Sequence, residues 1–148
     1  MKTHPYLRAY LAGIFAPTLV LPLILAVFIT LRLVLEVPVP IERFLIFPMA
    51  VVPSLFGVWN MLFLGSHART HLPIGLHGAI LPFLGAPTGA FVAHCLGMVH
   101  FGAGGVTWFE ACHVPYWLVA VVFLAGVALY YLVWKYIVGG VNRVLGIA

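Results

Sequence analysis

The chain has no aspartate, and its only acidic residues are three glutamates. The absence of aspartate excludes a Ser–His–Asp catalytic triad. Positive charge is also scarce, with seven lysines and arginines among 148 residues, whereas 64% of the residues are hydrophobic. So few charged side chains cannot cover the surface of a soluble domain of this length. The composition therefore predicts an integral membrane protein.

Four apolar stretches are long enough to cross a bilayer, which takes about 20 residues in helical form. None of them contains an acidic residue, which excludes a proton relay through intramembrane carboxylates. Backbone groups in hydrocarbon must be paired within their segment, and no stretch alternates as a barrel strand does. We predict an all-α fold, a single transmembrane domain of residues 1–148 in which four helices form an antiparallel bundle. The predicted spans are residues 9–31, 44–66, 79–101 and 115–138.

The positive side chains are divided unevenly between the two sides of such a bundle. Five lie on the side of the termini and of the second connection, whereas the other side has two arginines and all three glutamates. The positive-inside rule therefore predicts cytoplasmic termini in an inner membrane. Scattered positive residues without a basic run do not indicate a nucleic-acid partner. The five residues are Lys2, Arg8, Arg69, Lys135 and Arg143.

Prolines interrupt the interior of three spans, and three of them are followed at once by threonine or serine. Each interior proline removes an amide donor and bends its helix, so the bundle is predicted to be kinked. We expect the neighbouring hydroxyls to bond the carbonyls that the prolines leave free. The pairs are Pro17–Thr18, Pro53–Ser54 and Pro87–Thr88, and Pro22 is the fourth interior proline.

Small residues recur at every fourth position of the third span. Such a stripe lets two helix backbones approach closely, which is how helices associate in lipid. We expect a helix of the same chain as the partner, with a second subunit as the alternative. The predicted packing residues are Gly85, Gly89, Ala93 and Gly97.

Three histidines lie in the sequence GSHARTHLPIGLHG, residues 65–78, between the second and third spans. Pro73 biases the preceding residue away from helical geometry, so we expect the second helix to end there. The arginine within this sequence opposes binding of a cation and favours an anion, such as a phosphate or a lipid headgroup. We expect interfacial histidines without a bound ligand, with an anion site as the first alternative and a metal site as the second. The candidate residues are His67, Arg69, His71 and His77.

A second group of potential ligands lies at the end of the third span and in the connection after it. Its single Glu-x-x-His sequence is one copy, whereas di-iron bundles use two copies and two further glutamates, and the spacing of the group matches no standard zinc motif. Haem needs two opposed histidines on separate helices, and only His94 lies well inside a span. Asn60, a polar residue of the second span, is expected at another depth. No cofactor is favoured, and a metal ion or haem is the alternative. The candidate ligands are His94, His100, Glu110, Cys112 and His113.

These features predict a small inner-membrane protein without an enzymatic centre of its own. We expect an accessory or assembly subunit, or a module that binds lipid or a small molecule. Its partners would be the lipid bilayer and either further copies of itself or a larger membrane complex. The alternatives are a redox protein or enzyme that binds metal or haem through the second ligand group, and a small oligomeric transporter.

Overall fold

The computed structural model describes residues 4–36, 47–108 and 112–147. Within these ranges the chain is mostly helical, with three short strands between the third and fourth helices. The helices are α1 (Pro5–Leu33), α2 (Phe47–Thr70), α3 (Ile74–Cys95), α4 (Tyr116–Leu132) and α5 (Gly139–Val144), and a π-helical segment (Val133–Val138) joins the last two. The strands are β1 (Val99–Phe101), β2 (Gly105–Trp108) and β3 (Cys112–Pro115).

Four helical segments in the described ranges are long and apolar enough to cross a membrane, which confirms the prediction of four apolar helices. Their bounds differ from the predicted ones in all four spans, and two of the differences have a visible structural cause. The third segment ends at Cys95, where residues 79–101 were predicted, because the next residues turn into strand β1. The fourth continues beyond residue 138, because α4, the π-helical segment and α5 follow one another without a break. The segments are Pro5–Leu33, Val51–Thr70, Ile74–Cys95 and Tyr116–Val144.

Prolines also mark where helices begin. Pro5 lies in the first turn of α1, and Pro73 and Pro115 immediately precede α3 and α4. Proline is tolerated there because the first amides of a helix have no intrahelical acceptor. The expectation that the second helix ends before Pro73 is confirmed, since α2 ends at Thr70 and His71 adopts a left-handed φ of 50°.

The threonine hydroxyls beside two interior prolines bond to carbonyls other than those expected. Pro17 frees the carbonyl four residues before it, but the Thr18 hydroxyl donates to the carbonyl of Ile14 at 2.9 Å. Thr88 likewise donates to the carbonyl of Leu84 at 2.7 Å. A threonine inside a helix reaches the carbonyl four residues before itself, which is one residue beyond the carbonyl freed by the proline.

The chain divides into two compact units, which we call the first unit (Met1–Leu72 with Tyr136–Ala148) and the second unit (Pro73–Lys135). In the first unit, α1 packs along α2, and α5 packs against α1. In the second unit, α3 packs against α4, and the strands pack between the ends of these helices.

Backbone contact joins α1 to α2 in the first unit. A Cβ atom on Gly13 would lie 2.8 Å from the Cα of Gly57 and closer still to the carbonyl oxygen of Phe56. The Tyr10 hydroxyl donates to Ser54 Oγ at 3.5 Å across the same contact. Small residues are therefore required along this face of α1, and its buried alanines are Ala9, Ala12 and Ala16.

The second unit buries glycines of α3 under aromatic rings of the fourth apolar helix. Gly78 lies so close to the indole of Trp134 that a Cβ atom would overlap the ring. A Cβ atom on Gly75 would lie 2.8 Å from Cε2 of Tyr131. Trp134 is 0% exposed, so this contact forms the core of the packing between the two helices.

The three strands form an antiparallel sheet in the order β1-β2-β3. Gly97 ends α3 in the left-handed conformation, with a φ of 69°. The amide of Met98 donates to the carbonyl of Ala93 at 2.9 Å, and that of Gly97 to the carbonyl of His94 at 3.0 Å. This hydrogen-bond pattern is a Schellman motif, which terminates the helix and turns the chain into β1. The buried core beneath the sheet consists of Ala93, Met98, Val99 and Val106.

Candidate functional site

The four residues predicted around the second connection differ in exposure. His67 is exposed and stacks on Phe63, with ring centroids 4.9 Å apart. Arg69 and His71 are also exposed, at the end of α2 in the first unit. His77 belongs to the second unit, where it is only 8% exposed and lies 6.0 Å from Trp134, measured between ring centroids. The packing of α3 against the fourth apolar helix therefore accounts for the burial of His77.

A groove of about 450 Å³ runs along α2 beside the first turn of α1. We call it the α1–α2 groove. Its walls change from apolar to polar along α2, from Val58 and Leu62 to Ser66 and Arg69, and Tyr6 of α1 forms the opposite wall. All of these residues belong to the first unit. The groove therefore has apolar walls along most of its length and one positively charged side chain at its end.

Histidines of the second predicted ligand group lie on and beside the sheet. The His94 ring lies 6.4 Å from that of His100, measured between centroids, and His94 Nδ1 is 2.9 Å from the carbonyl oxygen of Val99. On β2, Thr107 is the register partner of His100 on one side and of His113 on the other. The side chains of His100, Thr107 and His113 therefore share one face of the sheet. The His94 ring thus has a carbonyl partner in the turn that follows α3, and His94 is exposed in the last turn of that helix.

Cys112 lies on the opposite face of the sheet from His113, because neighbouring strand residues point to opposite sides. Glu110 lies outside the described residues. In the part of the chain that the structure describes, no group of three or more His, Cys, Asp or Glu residues is arranged to hold a metal ion.

The residues of the predicted small-residue stripe lie in three different environments. Among the described residues, no atom other than those of the chain neighbours and nearby backbone of α3 lies within 4 Å of where a Cβ would stand on Gly85 or Gly89. We call the surface at these two glycines the open face of α3. Ala93 is buried under the sheet. Gly97 lies beyond the end of α3, where the left-handed turn requires it. The structure thus keeps only part of the stripe as one helix face.

The structure contains a buried pair of asparagines that the sequence did not predict. Asn60 Nδ2 donates to Asn142 Oδ1 at 2.8 Å and to the carbonyl of Ala9 at 2.7 Å, and Asn142 Nδ2 donates to Asn60 Oδ1 at 3.1 Å. Both asparagines are 0% exposed. The pair therefore joins α1, α2 and α5 through side-chain amides. The burial of Asn142 was not predicted, because this residue lies four residues beyond the predicted end of the fourth span.

Arg8 makes a second contact between α1 and the end of α5. Its Nη1 donates to the carbonyl of Leu145 at 2.7 Å. The last carbonyls of a helix lack intrahelical donors and carry partial negative charge, so a guanidinium is a favourable partner. Arg8 therefore has a structural partner, in contrast to the exposed Arg69 at the end of α2.

The length and apolar composition of the helices define the class of the protein. In the described ranges it is a mostly helical protein with four helices long and apolar enough to cross a membrane, as in a multi-pass membrane protein. Comparison with protein-family models, with curated proteins and with solved structures found no match to the chain.

Proposed function

We propose that the protein is a non-enzymatic accessory or assembly subunit of an inner-membrane complex. It associates with a second polypeptide through the open face of α3. That polypeptide is either another copy of this chain or a different membrane protein. Close approach of helices at small residues is the usual basis of such association in lipid.

The empty space at Gly85 and Gly89 is the observation that carries the proposal. Each glycine costs a helix about 1 kcal/mol relative to alanine. At two other helical glycines that cost accompanies a close contact, Gly13 against α2 and Gly78 against Trp134. Gly85 and Gly89 lie about one turn apart on α3 and have no such contact in the second unit. A helix docked on this face would give these two glycines the same role.

The proposal includes an orientation with both termini in the cytoplasm. Support comes from Arg8 near the start of α1 and Arg143 near the end of α5, together with Arg69 at the end of α2. Cytoplasmic positive charge is the usual determinant of orientation. Alkaline phosphatase fused to the C-terminus is expected to be inactive, and an active fusion would contradict this orientation.

A leucine at position 89 tests the proposed association. We expect the purified wild-type protein to have the mass of more than one chain by size exclusion with light scattering. Gly89→Leu places a bulky side chain on the open face, so its particle should have the mass of a single chain. Gly126→Leu is the matched control, because Gly126 of α4 also has nothing within 4 Å of its Cβ position but lies outside the proposed interface.

Two results would overturn the proposal. A Gly89→Leu particle with the wild-type mass would show that the open face makes no contact with another polypeptide. A haem absorbance band or stoichiometric metal in the purified protein would contradict a non-enzymatic subunit.

A further inference from the structure

We propose that the α1–α2 groove binds a phospholipid with an anionic headgroup. The phosphate lies beside Arg69, and an acyl chain follows the apolar wall formed by Val58 and Leu62. This site lies on different helices from the open face of α3, so it is independent of the proposed association.

The length of the groove fits one leaflet of a bilayer. Val58 and Arg69 are eleven positions apart on α2, which corresponds to about 16 Å along the helix axis. Half of the hydrocarbon thickness of a bilayer is about 15 Å. A groove of this length therefore spans the depth from the headgroup region towards the bilayer centre.

The apolar wall of the groove distinguishes a lipid from a free anion. Val58 is 48% exposed and Leu62 is 52% exposed, so both offer side-chain surface to an occupant. Inorganic phosphate would occupy only the polar end and leave this surface uncovered. An acyl chain covers it without any polar partner, which commits the proposal to an amphiphile.

Arg69 is an uncommitted donor group at the polar end of the groove. Within the described residues, Arg69 makes no hydrogen bond or ion pair, whereas the Thr70 hydroxyl donates to the carbonyl of Ser66 at 3.1 Å. Glu36, the carboxylate described in the first unit, lies beyond the opposite end of α1. No described carboxylate therefore competes for the guanidinium. A guanidinium in this state matches phosphate, which it binds through paired N–H groups.

Gly65 keeps the groove open between the two helices. A Cβ atom at this position would lie 3.5 Å from the hydroxyl oxygen of Tyr6, which is ordinary van der Waals contact. A small side chain therefore fits without displacing Tyr6, whereas a large one would occupy the space assigned to the lipid. Gly65→Leu thus blocks the groove without changing its charge.

Lipid titration of the purified full-length protein tests the proposal. Melting temperature is followed by circular dichroism in a neutral detergent while phosphatidylglycerol, phosphatidylcholine or inorganic phosphate is added. We expect phosphatidylglycerol to raise the melting temperature in a saturable way, because a ligand that binds only the folded state stabilises it. Phosphatidylcholine should act much more weakly, and phosphate should have no effect.

Three variants identify the site. Arg69→Gln should weaken the apparent affinity for phosphatidylglycerol about tenfold, as expected for the loss of charge-assisted hydrogen bonds. Gly65→Leu should weaken it similarly with the charge retained. Arg143→Gln is the matched control, since Arg143 is an exposed arginine of the first unit that does not line the groove. It should bind as the wild type does.

Four results would each overturn the proposal. Equal affinity of the wild type and Arg69→Gln would show that this arginine does not hold the headgroup. An equal loss in Arg143→Gln would show diffuse attraction of anionic lipid to positive charge. Equal stabilisation by phosphatidylcholine would remove the role of lipid charge, and equal stabilisation by inorganic phosphate would make the occupant a free anion.

Discussion

At the scale of single residues, the amides of Asn60 and Asn142 are the best-defined polar contact of the first unit. Two donors and two acceptors are satisfied reciprocally, and the additional bond to the Ala9 carbonyl connects the pair to α1. A buried amide without a partner destabilises the folded state, because its hydrogen bonds to water are not replaced. The pair therefore favours the observed docking of α5 on α1 and α2, in which both amides are paired.

A double-mutant cycle on this pair has a defined expected outcome. Asn60→Ala and Asn142→Ala should each lower the free energy of unfolding by roughly 1 to 3 kcal/mol. Asn60→Ala leaves the Asn142 amide unpaired, and Asn142→Ala leaves Asn60 Oδ1 without its donor. The double variant should lose less than the sum of the two, since no orphaned amide remains. Unfolding in detergent followed by circular dichroism measures all four proteins. Losses that add within about 0.5 kcal/mol would mean that the two amides do not interact.

At the scale of elements, the helices of each unit meet where glycine removes a side chain. In the first unit Gly13 brings α1 against the backbone of α2, and in the second unit Gly78 makes room for Trp134. A methyl group at either position has no space. These contacts differ from the predicted stripe on α3, because a spacing pattern identifies small residues but not the helix that approaches them.

Glycine-to-alanine substitutions at a closed and an open position should have opposite effects. Gly13→Ala is expected to lower the free energy of unfolding by about 1 to 3 kcal/mol, because the added methyl group overlaps the backbone of α2. Gly126→Ala should have no such cost and should stabilise α4 by up to about 1 kcal/mol, the usual preference of a helix for alanine. The two variants are compared in the same unfolding experiment. A loss of equal size in both would contradict the close contact at Gly13.

The sequence predicted the long helices well and the sheet not at all. Hydropathy averaged over about 20 residues identifies a span, and such an average extended the third span over Val99 and Phe101. The alternation of apolar and polar residues in β1 to β3 covers only three or four residues per strand, too few to stand out. The signal for the boundary is Gly97, whose left-handed conformation ends α3.

The candidate sites were less predictable, because their members are far apart in sequence. The burial of His77 depends on Trp134, and the role of Asn60 depends on Asn142. No local pattern connects either pair. Arg69 lies exposed beside an apolar groove, and that it binds an anion stays a prediction from its charge.

At the scale of the whole molecule, the described helices have most of their apolar surface exposed, as in a multi-pass membrane protein. We propose that the protein acts through two parts of this surface, the open face of α3 and the α1–α2 groove. The first is suited to another helix and the second to a lipid. Association through α3 is the central claim, because it assigns the protein its role as a subunit.

Photo-crosslinking in native membranes tests this claim most directly. Both native cysteines, Cys95 and Cys112, are replaced by serine, and Gly89→Cys is labelled with a benzophenone maleimide. Gly126→Cys in the same background is the control. Association through the open face of α3 predicts that irradiation joins the Gly89→Cys protein to a second polypeptide. The product should appear as a discrete band of higher mass that the control lacks. A Gly89→Cys protein that keeps the mass of one chain after irradiation would contradict this association.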